Sequence, residues 1–170
     1  DVGFGGYLIH RYGPERKVFQ DDRNEIHEPL LRRIWGIFQS SDVAAWSELL
    51  AAYKADTALV RFHPPIRVTD PHGTDLGFRG FSALWFPKKD WALVYWDDIA
   101  MVFVRRHNAP AGLLERHEYR VLRPDDLAHL EDRLSRDPSL LPVIAEELSR
   151  AARANPNSWR AREVAALIGR

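Results

Sequence analysis

The chain has 170 residues, with 24 Lys and Arg balancing 24 Asp and Glu, and no cysteine. Zero net charge, with basic residues interleaved among acidic ones, gives no overall field to recruit nucleic acid or an anionic membrane surface, so no nucleic-acid partner is expected. The lack of cysteine excludes disulfides, thiolate metal sites and cysteine nucleophiles.

In chain order, "GGYLIHRY" (5–12) gives a short apolar run that predicts a strand. "GPER" (13–16) predicts a turn, because Gly13 and Pro14 break both regular structures. "KVFQ" (17–20) predicts a second short strand, ending at "DDRNEIHEP". From Pro29 the period changes: Leu30, Leu31, Ile34, Trp35, Ile37 and Phe38 share one broad helical face. "SSD" (40–42) supplies an N-cap for a second helix with Val43, Trp46, Leu49, Leu50 and Tyr53 on its apolar side.

"ADTALVRF" (55–62) is β-like, and residues 63–80 predict a long loop carrying three prolines and three glycines. "WALVYW" and "IAMVFV", separated by Asp97 and Asp98, predict a hairpin. Both arms are apolar at nearly every position, which places the strands inside a sheet rather than at its edge. "LLERHEYRVLRP" (113–124) predicts a last strand or extended segment. Composition shifts at Pro124, and three helices follow, separated by Pro138 and Pro156. The expected fold class is α/β (α+β): a small mixed sheet with a central hairpin flanked by helices over 1–123, then a helical appendage over 124–170.

The 45% hydrophobic content, including 6 Trp and 8 Phe, is enough to bury a core. No apolar run approaches the ~20 residues that span a bilayer. The chain opens on "DVGFGG" with neither an initiator Met nor a signal peptide, and it reads as a piece of something longer.

Residues 3–27, "GFGGYLIHRYGPERKVFQDDRNEIH", resemble a segment just after the transmembrane bundle of certain bacterial polytopic membrane proteins. Those proteins are similar to membrane-embedded glycosyltransferases of the mannosyltransferase and oligosaccharyltransferase type. The matching positions are Gly5, Gly6, Tyr7, Leu8, Pro14, Val18, Phe19, Asp21, Arg23 and Glu25, while Asp22 stands where Gly is usual and His27 where Tyr is usual. Residues 46–60 and the 91–106 hairpin match the same family. The spacing of Leu148, Ala151 and Pro156 is similar to the second helix of a tetratricopeptide repeat, although a generic helical hairpin explains it equally.

The resemblance implies a domain on the extracytoplasmic, periplasmic face, tethered to a transmembrane bundle of the same protein. Catalytic carboxylates and the lipid-linked donor would lie upstream, so the fragment is expected to be non-catalytic. It would pack on the bundle or contact a glycan acceptor or protein partner. No cofactor and no metal are expected.

Three clusters compete as sites. Asp97 and Asp98 could form an acid–base pair, but neighbours in a tight turn diverge, and turn aspartates accept backbone N–H bonds. Asp21, Arg23 and Glu25 would share one side of a continued strand, and with His27 they form the candidate ligand-binding set. Arg23 could clamp a phosphate or a sugar carboxylate, or it could simply pair within the domain. "DPHGTD" (70–75) gathers Asp70, His72 and Asp75 near His63, and reads better as a polar turn than as a hard-metal loop. "GFGG" does not open a helix in this reading, so its glycines serve close backbone approach rather than a dinucleotide loop. The alternatives to the accessory reading are a sugar- or phosphate-binding domain using Asp21, Arg23 and Glu25, and a protein-interaction module using the terminal helices.

Overall fold

The computed structural model describes residues 2–21, 23–69 and 72–169, without the side chains of Val2, Asn24 and Glu25. The fold is α+β, and the chain divides at Leu59/Val60 into two compact units.

The first unit is helical: α1 (Val2–Tyr12), α2 (Asn24–Ser40) and α3 (Val43–Ala52), followed by the start of β1 (Thr57–Arg61). The strand expected at 5–12 is the body of α1, and the one expected at 17–20 is irregular. A run as short as Tyr7–Ile9 fits either period, and here packing settles the matter. A Cβ on Gly5 would stand 2.5 Å from the Gln20 carbonyl oxygen and from Asp21 Cα, so only glycine lets α1 meet the 20–21 backbone. That contact offsets the poor helix propensity of Gly3, Gly5 and Gly6.

α2 begins before Pro29 rather than at it, so the proline sits inside the helix and removes one backbone bond near its start. Ser41 turns left-handed at the C-terminal end of α2, and Asp42 caps α3 by accepting from the Ala45 amide at 2.9 Å. Ile34, Ile37, Trp46, Leu49 and Leu50 form the buried seam at the spacing expected, but Trp35 and Tyr53, which the spacing put on the same two faces, are exposed. Phe19 closes it edge-on to Trp46 and Tyr53.

In the second unit β2 (Ile66–Thr69) and β3 (Asp75–Arg79) form an antiparallel hairpin where the sequence predicts a loop. Its signal is hidden because Gly73 and Gly77 take positive φ, at the turn and within β3, and interrupt the alternation. α4 (Phe81–Trp85) leads to β4 (Trp91–Trp96) and β5 (Ala100–Arg105), the antiparallel hairpin predicted from the two apolar runs. The three-stranded sheet has the order β1-β5-β4, so β5 is internal but β4 lies at the end of the order. The apolar residues of β4 are nevertheless covered: Trp91, Ala92, Leu93 and Trp96 are buried, and the Tyr119 amide donates to the Leu93 carbonyl at 2.8 Å. Phe86 stacks on Phe103 and meets Trp91 edge-on, joining the end of α4 to the hairpin core.

Beyond β5, residues 113–117 form α5 (Leu113–His117), and 118–124 are irregular, bent at 120–121, rather than a last strand. α6 (Leu127–Arg136), α7 (Leu141–Ala154) and α8 (Trp159–Ile168) are the three helices expected after Pro124. They do not stand apart beyond residue 123, because 124–170 belong to the same compact unit as the hairpin. Two long polar side chains of α7 make the tie. Glu147, itself buried, accepts from the amides of Arg120, Val121 and Leu122. Arg150 donates to the carbonyls of Arg116, His117 and Glu118 and lies over the Tyr119 ring. An irregular segment thus has three of its amides and the carbonyl of Glu118 satisfied by one helix. The Leu93 carbonyl takes the Tyr119 amide, and Lys88 serves the Arg120 and Val121 carbonyls. Among the described residues, no helix is long and apolar enough to cross a membrane.

Candidate functional site

The structure closes Asp21 and Arg23 on each other. The buried Asp21 carboxylate accepts from the Arg23 backbone amide at 2.9 Å and from Arg23 Nε at 3.0 and 3.1 Å. The two residues precede α2 and lie in no strand, so the expected strand face does not exist. His27 on the first turns of α2 brings Nε2 to 3.3 Å from the same carboxylate. The Arg23 guanidinium and amide, followed by His27, hold the Asp21 carboxyl well below the usual carboxylate range. Three of the four expected site residues therefore do come together, but as a self-satisfied knot under α1 rather than as an open clamp. Glu25 opens α2, with its side chain outside the described residues, as Asp22 is altogether.

Asp97 and Asp98 diverge. Asp97 Oδ1 accepts from the amides of Ile99 and Ala100, both at 2.8 Å, and so builds the turn. Asp98 turns the other way and accepts from Ser158 Oγ at 2.6 Å and from the amides of Trp159 and Arg160 at 3.2 and 3.1 Å. It sits on the N-terminus of α8, where orphan N–H groups and the helix dipole favour an anion. Burial would raise the Asp98 carboxyl, but these bonds bring it below its ordinary value. With one carboxylate in its own turn and the other on α8, the pair makes no acid–base site.

The "DPHGTD" loop is likewise committed to structure: Asp75 pairs with Arg67 across the β2–β3 hairpin at 2.6 Å, while Asp70 lies outside the described residues. Among the described residues, no group of three or more His, Asp or Glu is gathered closely enough to hold a metal ion.

A cavity of about 220 Å³ opens elsewhere in the second unit, and its lining is strongly basic. Arg79 comes from the end of β3, Lys88 from the turn before β4, Arg123 from the irregular 118–124 segment, and His129 and Arg133 from α6. Asp126 is the acidic residue of the lining, and it is spent on Arg79 Nη2 at 2.9 Å and the Gly80 amide at 2.7 Å. Lys88 Nζ donates to the carbonyls of Arg120 and Val121. The buried Arg123 fork ties α4 by donating to the carbonyls of Ser82 and Phe86, while its Nε has no hydrogen-bond partner among the described residues.

Among the described residues, no carboxylate lies within ion-pair distance of Lys88, Arg123 or Arg133. The nearby acids are used elsewhere: Glu118 by Arg106, Asp125 by the Ser82 amide and hydroxyl, and Glu147 by backbone amides. Burial, and then Arg123 and Arg133, push the Lys88 ammonium down to about 8 against the pull of Glu147 and Glu118. Burial likewise pushes the Arg123 guanidinium down to about 10 and lowers His129.

The sequence hides this cluster because its members are scattered from 79 to 133, and Lys88, Arg123, His129 and Arg133 each have an acidic residue within three positions. No spacing rule joins them. Comparison with known proteins finds no family model, no curated protein and no solved structure that matches the chain.

Proposed function

We propose that the chain is a non-catalytic accessory domain of a polytopic, glycosyltransferase-like membrane protein, placed on its extracytoplasmic face. There it packs on the transmembrane bundle or contacts an acceptor or partner. The observation that carries the non-catalytic part is the commitment of the sequence's most conspicuous carboxylates. Asp21 is spent on Arg23, Asp97 on its own turn, Asp98 on α8 and Asp75 on Arg67, so none of them is poised as a general acid or nucleophile. The membrane setting rests on the resemblance of residues 3–27, 46–60 and 91–106.

These 170 residues hold no cysteine, so Ser149→Cys on the exposed side of α7, placed in a full-length protein whose other cysteines have been replaced, provides a specific label. A membrane-impermeant maleimide should label it in intact cells; labelling only after lysis would contradict the reading. The isolated 170-residue chain should also transfer no sugar from a lipid-linked donor.

A second reading, a protein-interaction module, is favoured by a shallow groove of about 290 Å³ along α7 and α8, lined by Leu148, Ala152, Pro156 and Ala165. The ligand-binding reading built on Asp21, Arg23 and Glu25 is weakened, since a ligand would have to break the Asp21–Arg23 pair first.

A further inference from the structure

The basic cavity of the second unit has no counterpart in the accessory reading and does not depend on the membrane setting. We propose that the cavity bounded by Arg79, Lys88, Arg123, His129 and Arg133 is a binding site for a phosphate monoester group.

Charge comes first. Arg79 and Asp126 cancel, which leaves Lys88, Arg123 and Arg133 as cations that the lining does not neutralise. Gathering like charges in a partly desolvated cleft is costly unless an anion completes the site. A purely structural role accounts for Arg123, which ties the carbonyls of α4, but not for Arg133, which makes no ion pair among the described residues.

Donor inventory comes next. Lys88 uses two N–H groups on backbone carbonyls and keeps a third, and the buried Arg123 Nε–H has no hydrogen-bond partner among the described residues. Together with the Arg133 guanidinium, these are the charge-assisted donors that phosphate oxygens take.

Size limits the ligand. About 220 Å³ falls below the roughly 300–1,000 Å³ of pockets that enclose drug-sized molecules, so the cavity admits an anionic group rather than a whole nucleotide. A dianion matches the surplus charge better than a monocarboxylate does, and Ala83, Pro87 and Leu130 supply the apolar walls that strengthen such contacts. A soluble phosphate monoester and a phosphatidate headgroup carry the same group.

The test is an NMR titration of the ¹⁵N-labelled 170-residue chain with inorganic phosphate at low ionic strength. Saturable shifts are expected at the amides of Ala83, Lys88, Leu130 and Arg133, with acetate binding at least several-fold more weakly. Arg133→Ala should weaken phosphate about tenfold, the loss of roughly one charge-assisted contact, while Arg153→Ala on the exposed side of α7 should not. Arg133→Lys should recover part of the affinity. Co-sedimentation with phosphatidate vesicles identifies the source: Arg133-dependent binding identifies a headgroup, and binding of free phosphate alone identifies a soluble monoester. The proposal is overturned if phosphate produces no saturable shift and vesicle binding is independent of Arg133. It is equally overturned if acetate binds as tightly as phosphate, or if Arg153→Ala matches Arg133→Ala.

Discussion

Asp98, in the turn of the β4–β5 hairpin, accepts a hydrogen bond from Ser158 Oγ at 2.6 Å across 60 residues of sequence. Ser158 in turn accepts from the Ala161 amide, so one hydroxyl links the hairpin turn to the first turn of α8. Ser158→Ala removes the cap and leaves Asp98 only the Trp159 and Arg160 amides, and should cost about 1–2 kcal/mol, lowering the thermal midpoint by several degrees. Asp98→Ala should also destabilise, and the two changes together should fall clearly short of additive, since they remove one shared contact. Additive losses in thermal melts would show that the two residues do not cooperate.

Glu147 makes the corresponding tie from α7. Its carboxylate meets the amides of Arg120, Val121 and Leu122, which have no strand partner. Glu147→Ala leaves the buried Val121 and Leu122 amides unsatisfied and should cost about 3 kcal/mol or more in urea melts, with Glu147→Gln intermediate because a neutral oxygen accepts less strongly. Amide exchange should accelerate first at 120–122. A loss below about 1 kcal/mol would mean that solvent already serves these amides.

Lys88 gives a pH signature. Its value is about 8 in the folded chain against 10.5 for the ordinary side chain. Below pH 8 both folded and unfolded chains hold the proton, and the cost of burying the charge is paid in full. Between about pH 8 and 10.5 the unfolded chain binds more protons, so this group's contribution to stability rises with pH and then levels off. Comparing urea midpoints of wild type and Lys88→Met across that window isolates the effect from the tyrosines. The wild type should gain on the variant as pH rises, and parallel curves would contradict the assignment. Phosphate affinity should fall over the same window as the cation is lost.

What the sequence made legible follows the range of each interaction. The hairpin and the role of Asp97 could be read because their evidence is local: two apolar runs and a carboxylate that bonds amides two and three residues on. The role of Asp98 could not, since its partners are Ser158, Trp159 and Arg160. α1 was hidden by three glycines whose purpose is visible only where Gly5 meets Gln20 and Asp21. The β2–β3 hairpin was hidden by Gly77 at positive φ. Asp21 and Arg23 were found as a cluster, but sequence alone does not distinguish a clamp open to a ligand from one closed on itself. The basic cavity left no trace, because folding alone brings Arg79, Lys88 and Arg123 to α6.

The central claim is a division of labour, in which the conspicuous carboxylates hold the fold while the basic cavity takes the ligand. One paired measurement tests it: thermal midpoint and inorganic-phosphate affinity, both determined for Asp98→Asn and for Arg133→Ala. The account predicts a crossed result, with Asp98→Asn lowering the midpoint and sparing the affinity, and Arg133→Ala weakening affinity about tenfold with little change in midpoint. An Asp98→Asn chain that keeps its midpoint and loses phosphate, or an Arg133→Ala chain that unfolds early yet binds as before, would contradict it.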